Sequence, residues 1–299
     1  MRALVTGWFS FLHGEATAGD LLAKDVACRW LRSAGMEFDV ALSPVFGAGV
    51  DVEQADPAAY SHLLFVCGPA KGAQVDWLVR RFARCRLVGL NVSIVDAAHG
   101  GGPFDLLLER DSDAVARPDL SIVAATSRVP VVGVVRAHPQ PEYGAGLHDQ
   151  AHRAIDRLLA SRPLSIVECD TRVDPRQPGQ RSTAEVESLL ARLDVVVTTR
   201  LHGMVLALRN GVPAVAVDPI AGGAKVRRQA DVLDWPVAFV ADALDPRALG
   251  DALAFCLTPE ARREADACRR RAIALLERLE RDFQARLRQR GTPSAPRQG

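Results

Sequence analysis

The sequence predicts two α/β domains, each built on an open, doubly wound parallel sheet. Short apolar runs alternate with longer amphipathic stretches along most of the chain, which is typical of βα units. The length of 299 residues exceeds the usual range for one hydrophobic core. The pattern also restarts after a crossing segment between Pro118 and Pro130. We therefore expect Rossmann-like domains over residues 1–128 and 129–290.

In the first predicted domain, five apolar runs indicate strands and two amphipathic stretches indicate helices. The helix over 19–34 has apolar residues at helical spacing, among them Leu22 and Val26, and Gly35 follows where a left-handed residue commonly ends a helix. The second helix covers about 74–84. The predicted strands are 3–6, 38–42, 62–67, 87–95 and 106–108.

The second predicted domain repeats the alternation and ends in a long charged helix. Its predicted strands are 129–135, 164–169, 195–198, 214–218 and 237–240, with helices near 146–160, 183–192, 202–210 and 224–233. The helix over 259–290 carries a narrow apolar stripe, which fits either packing on the outside of the domain or a contact between subunits of a homo-oligomer. The polar, Pro- and Gly-containing residues 291–299 predict a disordered tail.

Composition excludes several function classes. A formal net charge of +1 argues against a general nucleic-acid or membrane-surface binder. The six cysteines form no CxxC pair and have no histidine at zinc-ligand spacing, so we expect reduced thiols and no bound metal. No apolar run has the length of a signal-peptide core or of a membrane span, which predicts a cytoplasmic protein.

The segment around Arg200 carries the clearest chemical signal. Arg200, His202 and Gly203 follow the apolar run 195–198 and open a helix. Backbone N–H groups and the positive end of the helix dipole favour an anion there, and arginine can hold a phosphate or carboxylate through two hydrogen bonds. Histidine can donate a hydrogen bond or exchange a proton near neutral pH. Gly203 would permit close approach of a ligand.

This segment resembles the polysaccharide pyruvyl transferase family. The turn Arg-Leu-His-Gly at 200–203 is followed by the spacing A-x-x-x-G-x-P over 207–213 and later by Lys225. Weaker similarities occur in the expected order at Gly19-Asp20, Arg110-Asp111-Ser112 and Pro118-Asp119. The similarity covers roughly residues 7–240 and is strong only over 199–226.

The resemblance implies a fold like that of the two-domain GT-B glycosyltransferases, with the domains facing across a cleft that holds the active site. It implies transfer of a pyruvyl group from phosphoenolpyruvate to sugar hydroxyls, with no other cofactor. Arg200 and His202 would hold the donor, and Arg136 matches another family arginine. Lys225 is either an anion contact or a solvated residue at a helix start.

The acid, the base and the acceptor stay open. We favour His202 as general acid, with His138 and Glu15 as alternatives. Glu15 and His13 lie in a Gly-flanked loop after the first strand, where they would serve acid–base chemistry or acceptor binding, or be solvated. Asp20 is expected at the substrate site by resemblance.

The N-terminal entry departs from the family, since residues 7–20 are apolar and lack its asparagine-rich pattern. A small metabolite is therefore as plausible an acceptor as a polysaccharide precursor. In either case the partners would be small molecules, a donor and a hydroxylated acceptor. A nucleotide-sugar glycosyltransferase and a non-catalytic ligand-binding homologue are the alternative functions.

Overall fold

A computed structural model describes residues 1–12, 16–94, 103–112, 115–139, 146–174, 176 and 179–288. The chain divides into an N-terminal unit, Met1–Ser127, and a C-terminal unit, Arg128–Gly299. This division falls one residue before the predicted domain boundary. Within the described ranges, no helix combines the length and apolar character needed to cross a lipid bilayer.

The N-terminal unit contains a five-stranded parallel sheet in the order β2-β1-β3-β4-β5. Helix α1 follows β1, and helix α2 follows β3. The element bounds are β1 Arg2–Thr6, α1 Ala18–Ser33, β2 Glu37–Val40, β3 His62–Val66, α2 Ala73–Arg81, β4 Arg86–Ser93 and β5 Leu106–Asp111.

Both faces of this sheet are buried. Successive side chains of a strand point to opposite faces, and the core follows that period. Leu4 and Phe65 pack with Leu78 of α2 in one apolar cluster. Val5 packs with Val26 of α1 in another. The helices therefore cover opposite faces, as in a doubly wound sheet.

The C-terminal unit contains a second five-stranded parallel sheet in the order β10-β9-β8-β6-β7. The strands are β6 Val131–Val135, β7 Ser165–Cys169, β8 Val195–Thr198, β9 Ala214–Asp218 and β10 Ala238–Val240. The helices are α3 His148–Ala160, α4 Thr183–Leu190, α5 Leu201–Arg209, α6 Lys225–Leu233, α7 Pro246–Cys256 and α8 Pro259–Arg288.

The two sheets have the same topology. Counted from the first strand of each unit, both orders read 2-1-3-4-5, which is one of the common doubly wound arrangements. The predicted pair of Rossmann-like units is confirmed. Helix α7 was not predicted, although Asp245 caps its first turn by accepting a hydrogen bond from Arg247 N–H. The predicted tail, 291–299, lies outside the described residues.

Helix α8 packs on the unit over only part of its length. Ala261, Ala265 and Cys268 near its start are buried, whereas Leu279 and Phe283 are each about 60% exposed. The packing interpretation therefore applies to the first part of α8. A contact between subunits through the second part stays a prediction.

Candidate active site

The C-terminal unit has its topological switch point between β6 and β8. From β6 the chain runs through α3 to the edge strand β7, whereas from β8 it runs through α5 to β9 on the other side. Open parallel sheets bind ligands beyond the carboxyl ends of such strands. Arg136 directly follows β6, and Arg200 lies two residues beyond the end of β8. Strand order thus brings the two predicted arginines together.

Two threonines hold the turn between β8 and α5. The Thr198 hydroxyl accepts a hydrogen bond from Arg200 N–H at 2.9 Å and lies 2.9 Å from the Val135 carbonyl oxygen, to which it can donate. The Thr199 hydroxyl accepts from Ala137 N–H at 2.8 Å. Both threonines are buried. These bonds tie the end of β8 to the end of β6 and fix the backbone that carries Arg200.

Arg200 is the N-cap residue of α5 and is half-buried. Its Nε donates to the Arg136 carbonyl oxygen at 3.4 Å, and no carboxylate of a described residue lies within ion-pair distance of it. The first N–H groups of a helix lack intrahelical acceptors and form the positive end of its dipole. His202 is exposed in this first turn. An arginine with no described carboxylate in ion-pair contact and a helix N-terminus therefore lie side by side, which suits a phosphate or carboxylate.

Arg136 is already engaged by carboxylates. Its Nη2 lies 2.8 Å from Asp156 Oδ1 on α3 and 3.5 Å from Glu168 Oε1 on β7. Arg136 and Glu168 line an open cavity of about 860 Å³ at the carboxyl ends of the strands. An anion beside Arg136 would compete with two carboxylates for its guanidinium. Arg200 is not among the residues that line this cavity, but no carboxylate of a described residue lies within ion-pair distance of it, so Arg200 is the less encumbered anion contact.

Two residues that the sequence analysis missed, Asp170 and Arg172, line the same cavity. Arg172 Nε donates to Asp170 Oδ2 at 2.8 Å, and Arg172 Nη2 lies 3.2 Å from Nε2 of the exposed His138. Burial raises the pKa of Asp170, but hydrogen bonds from Arg172 and the charge of Arg200 outweigh burial and leave the pKa below its usual range. The sequence contained a signal for both, because they lie within three residues of the end of a predicted strand, as Arg200 does.

Lys225 is the first residue of α6, and it lines a pit of about 20 Å³ together with Thr199. The start of α6 is occupied by Asp218, a fully buried residue at the end of β9. One Asp218 oxygen accepts hydrogen bonds from three backbone N–H groups around the first turn of α6, at 2.7–3.0 Å. That helix N-terminus is therefore capped by a carboxylate. An anion contact from Lys225 would have to come from its ammonium group alone.

The remaining predicted site residues have other placements. Gly203 is buried, and a Cβ there would lie 2.2 Å from Thr198 Oγ1. The glycine therefore permits close packing of α5 against the sheet, and not the close approach of a ligand. Asp20 completes a capping box at the start of α1, where its carboxylate accepts from the backbone N–H three residues earlier at 2.8 Å. Its carboxylate therefore serves the helix. His13 and Glu15 lie outside the described residues.

Two histidines on α3, His148 and His152, lie beside the β8–α5 turn. His152 Nε2 lies 3.4 Å from Thr199 Oγ1, and the His152 and His148 rings meet edge to face at 6.3 Å. His148 is 6% exposed, and its Nδ1 has no hydrogen-bond partner among the described residues. Burial lowers the pKa of both imidazoles. Near neutral pH, a neutral His152 therefore contacts the threonine that fixes the turn.

The β8–α5 turn lies inside a segment shared with a known protein family. Residues 140–219 match the family model of polysaccharide pyruvyl transferase. The predicted resemblance is confirmed over this segment, which contains Arg200 and His202, whereas Arg136 and Lys225 lie outside it. The match supports a transferase.

Similar solved structures include three glycosyltransferases. The calicheamicin glycosyltransferase CalG4 is 14% identical, with a TM-score of 0.36, and the alignment covers 97% of this chain and 99% of that one. The spinosyn forosaminyltransferase SpnP is 16% identical, with a TM-score of 0.35 and coverage of 94% and 98%. The spinosyn rhamnosyltransferase SpnG is 14% identical, with a TM-score of 0.34, and the alignment covers 94% of this chain and 100% of that one. No curated protein sequence matches this chain. Similarity this low supports no inference about activity.

Proposed function

We propose that this protein moves a pyruvyl group from phosphoenolpyruvate to hydroxyl groups of a sugar or small-metabolite acceptor. The observation that carries the proposal is Arg200, a half-buried arginine at the switch point and at the start of α5, with no carboxylate of a described residue within ion-pair distance. Phosphoenolpyruvate carries a phosphate and a carboxylate, and both suit an arginine beside a helix N-terminus. The family match over 140–219 supports the same class of reaction.

The reaction needs a proton donor and a stabilised leaving group. The methylene carbon of phosphoenolpyruvate gains a proton, and the first acceptor hydroxyl adds to the neighbouring carbon. A second hydroxyl then displaces phosphate at that carbon and closes the ketal. The two acceptor hydroxyls release two protons. One returns to the general acid that protonated the methylene carbon, and the other leaves with phosphate. In this proposal Arg200 and the α5 N-terminus stabilise the charge on the departing phosphate, and His202 supplies the first proton.

The donor site is tested by titrating phosphoenolpyruvate into Arg200→Ala by isothermal calorimetry. Loss of a charge-assisted contact costs about 1.5–3 kcal/mol, so affinity should fall more than about tenfold. Arg247→Ala is the matched control, because Arg247 is an exposed arginine in the first turn of α7, whose N-terminus is capped by Asp245. In His202→Gln, the amide keeps a hydrogen-bond donor but cannot supply a proton, so donor affinity should persist and turnover should fall about a hundredfold.

Equal donor affinity in Arg200→Ala and Arg247→Ala would contradict the assignment. Product mass and phosphate release, measured with candidate acceptors, distinguish the alternative functions. Sugar transfer from a nucleotide sugar without phosphoenolpyruvate would favour a glycosyltransferase. Donor binding with no product for any acceptor would favour a non-catalytic homologue.

A further inference from the structure

The N-terminal unit has a cavity of its own at the carboxyl edge of its sheet. It measures about 550 Å³ and is lined by Phe11, Glu53, Gln54, Ala73, Gln74 and Trp77. Phe11 follows β1, the turn with Glu53 follows β2, and Trp77 lies on α2, which follows β3. The strand order β2-β1-β3 places these three strand ends side by side. In this topology the switch point lies between β1 and β3, so the cavity lies where such sheets bind ligands.

The aromatic wall of this cavity is held in place by its neighbours. The Arg81 guanidinium carbon lies 5.5 Å from the centre of the Trp77 ring. Arg81 Nη2 also donates to the carbonyl oxygens of Glu53 and Ala55, at 2.8 and 2.9 Å. One arginine therefore joins α2, the indole and the turn on the opposite side of the cavity. Phe11 is 7% exposed and belongs to the apolar cluster beneath.

The polar side chains of the cavity are available to a ligand. Within the described part of the chain, the side chains of Glu53, Gln54 and Gln74 form no hydrogen bond or ion pair with another residue. Each amide offers two donors and one acceptor oxygen, and the carboxylate accepts through two oxygens. Such groups match hydroxyls, which both donate and accept.

The charge of the lining argues against an anionic ligand. Among its described residues Glu53 alone is charged, and the nearby Arg81 is engaged by two carbonyl oxygens and the indole. A ligand for this cavity is thus neutral, rich in hydroxyls, and has one apolar face for the indole. A pyranose ring has this chemistry, because its C–H bonds form a flat apolar face and its hydroxyls surround the edge.

We propose that this cavity binds a sugar ring, with Trp77 as its stacking platform and Gln74 and Glu53 as its hydrogen-bonding groups. Its identification as the acceptor site rests on the proposed function. Sugar binding itself does not, because it follows from the lining of the N-terminal unit alone. The two units differ in the side chains at their strand ends: arginines line the edge of one sheet, and amides with aromatic rings line the edge of the other. This difference fits binding of an anionic donor by one unit and of a neutral sugar by the other.

The test measures binding to the full chain by saturation-transfer NMR and calorimetry. The probes are methyl glycosides of glucose, galactose, mannose and N-acetylglucosamine, with sorbitol as a hydroxyl-rich compound that lacks a ring face. At least one glycoside should bind, more tightly than sorbitol. Trp77→Leu and Gln74→Ala should each weaken that binding about fivefold. Trp30→Leu is the matched control, because Trp30 is an exposed tryptophan on α1 of the same unit, and it should leave binding unchanged.

Phosphoenolpyruvate affinity in the same variants separates this inference from the proposed function. Trp77→Leu and Gln74→Ala should bind phosphoenolpyruvate as the parent chain does. If a glycoside binds through Trp77 and Gln74 while no pyruvyl transfer occurs, the sugar site stands and the proposed reaction fails. Absence of glycoside binding, sorbitol binding of equal strength, or unchanged binding in both cavity variants would overturn the sugar site.

Discussion

Replacing Gly203 by alanine should weaken both the C-terminal unit and its donor site. The new Cβ would lie 2.2 Å from Thr198 Oγ1 and 3.0 Å from Val135 Cβ, in a region with no open space. Thr198 cannot yield freely, because its hydroxyl holds Arg200 N–H and contacts the Val135 carbonyl oxygen. The first turn of α5 must therefore shift away from the sheet.

The magnitude follows from three effects. Overpacking a buried site costs about 1–3 kcal/mol, and loss of one Thr198 hydrogen bond costs about 1 kcal/mol. The higher helix propensity of alanine returns about 1 kcal/mol. We expect a net loss of about 1–3 kcal/mol in the free energy of unfolding. Because the Arg200 backbone depends on Thr198, affinity for phosphoenolpyruvate should fall as well.

Gly250→Ala is the matched control, since Gly250 lies within helix α7 and a Cβ there meets nothing within 4 Å. It should stabilise the protein by about 0.5–1 kcal/mol. Urea unfolding followed by circular dichroism measures both variants, and hydrogen-exchange mass spectrometry assigns the change to peptides of α5. If Gly203→Ala is as stable as Gly250→Ala and exchange in α5 is unchanged, the reasoning from close packing is refuted.

Two further predictions concern the support of the site. Asp218→Ala leaves the N–H groups at the start of α6 without their carboxylate, so thermal unfolding should show a loss of at least about 2 kcal/mol; an unchanged melting temperature would count against the capping role. The pKa values of His148 and His152 are lowered by burial, so the unfolded chain binds protons before the folded one as the pH falls. Their contribution to stability is present above about pH 6.5 and is lost below it. Melting temperatures measured from above to below about pH 6.5 should show this loss of stability, and the loss should be smaller in His152→Gln. The same pH profile in His152→Gln and in the parent chain would exclude His152 as a cause.

The local elements could be predicted because they depend on short stretches of sequence. The apolar run 195–198 and the turn Arg-Leu-His-Gly after it predict a strand and a helix start, and β8 and α5 occupy these positions. Helix α7 was not predicted, although it has 11 residues and buries Leu249 and Leu253. Gly250 in its interior is a residue of low helix propensity. The start signal was nevertheless present, since Asp245 precedes Pro246 and both residues favour a helix N-terminus.

The site could be predicted only residue by residue. The sequence placed Arg200 and His202 beyond a strand end, which already indicates an anion site. It did not reveal that Arg136 is engaged by Asp156 and Glu168. Nor did it reveal that the Arg200 guanidinium, among the described residues, hydrogen-bonds only to a carbonyl oxygen. Ion pairing depends on which side chains become neighbours through the fold, and these carboxylates lie 20 and 32 residues from Arg136 along the chain.

By itself, the sequence determined that this protein forms two α/β units and that an arginine and a histidine open a helix after a buried strand. These features follow from hydrophobic periodicity and local capping chemistry. Tertiary structure decided the strand order, and with it the meeting of Arg136 and Arg200 at one edge and of Phe11 and Trp77 at another. Strand order depends on pairings between distant segments, such as Val135 with Thr198, and periodicity alone does not specify them.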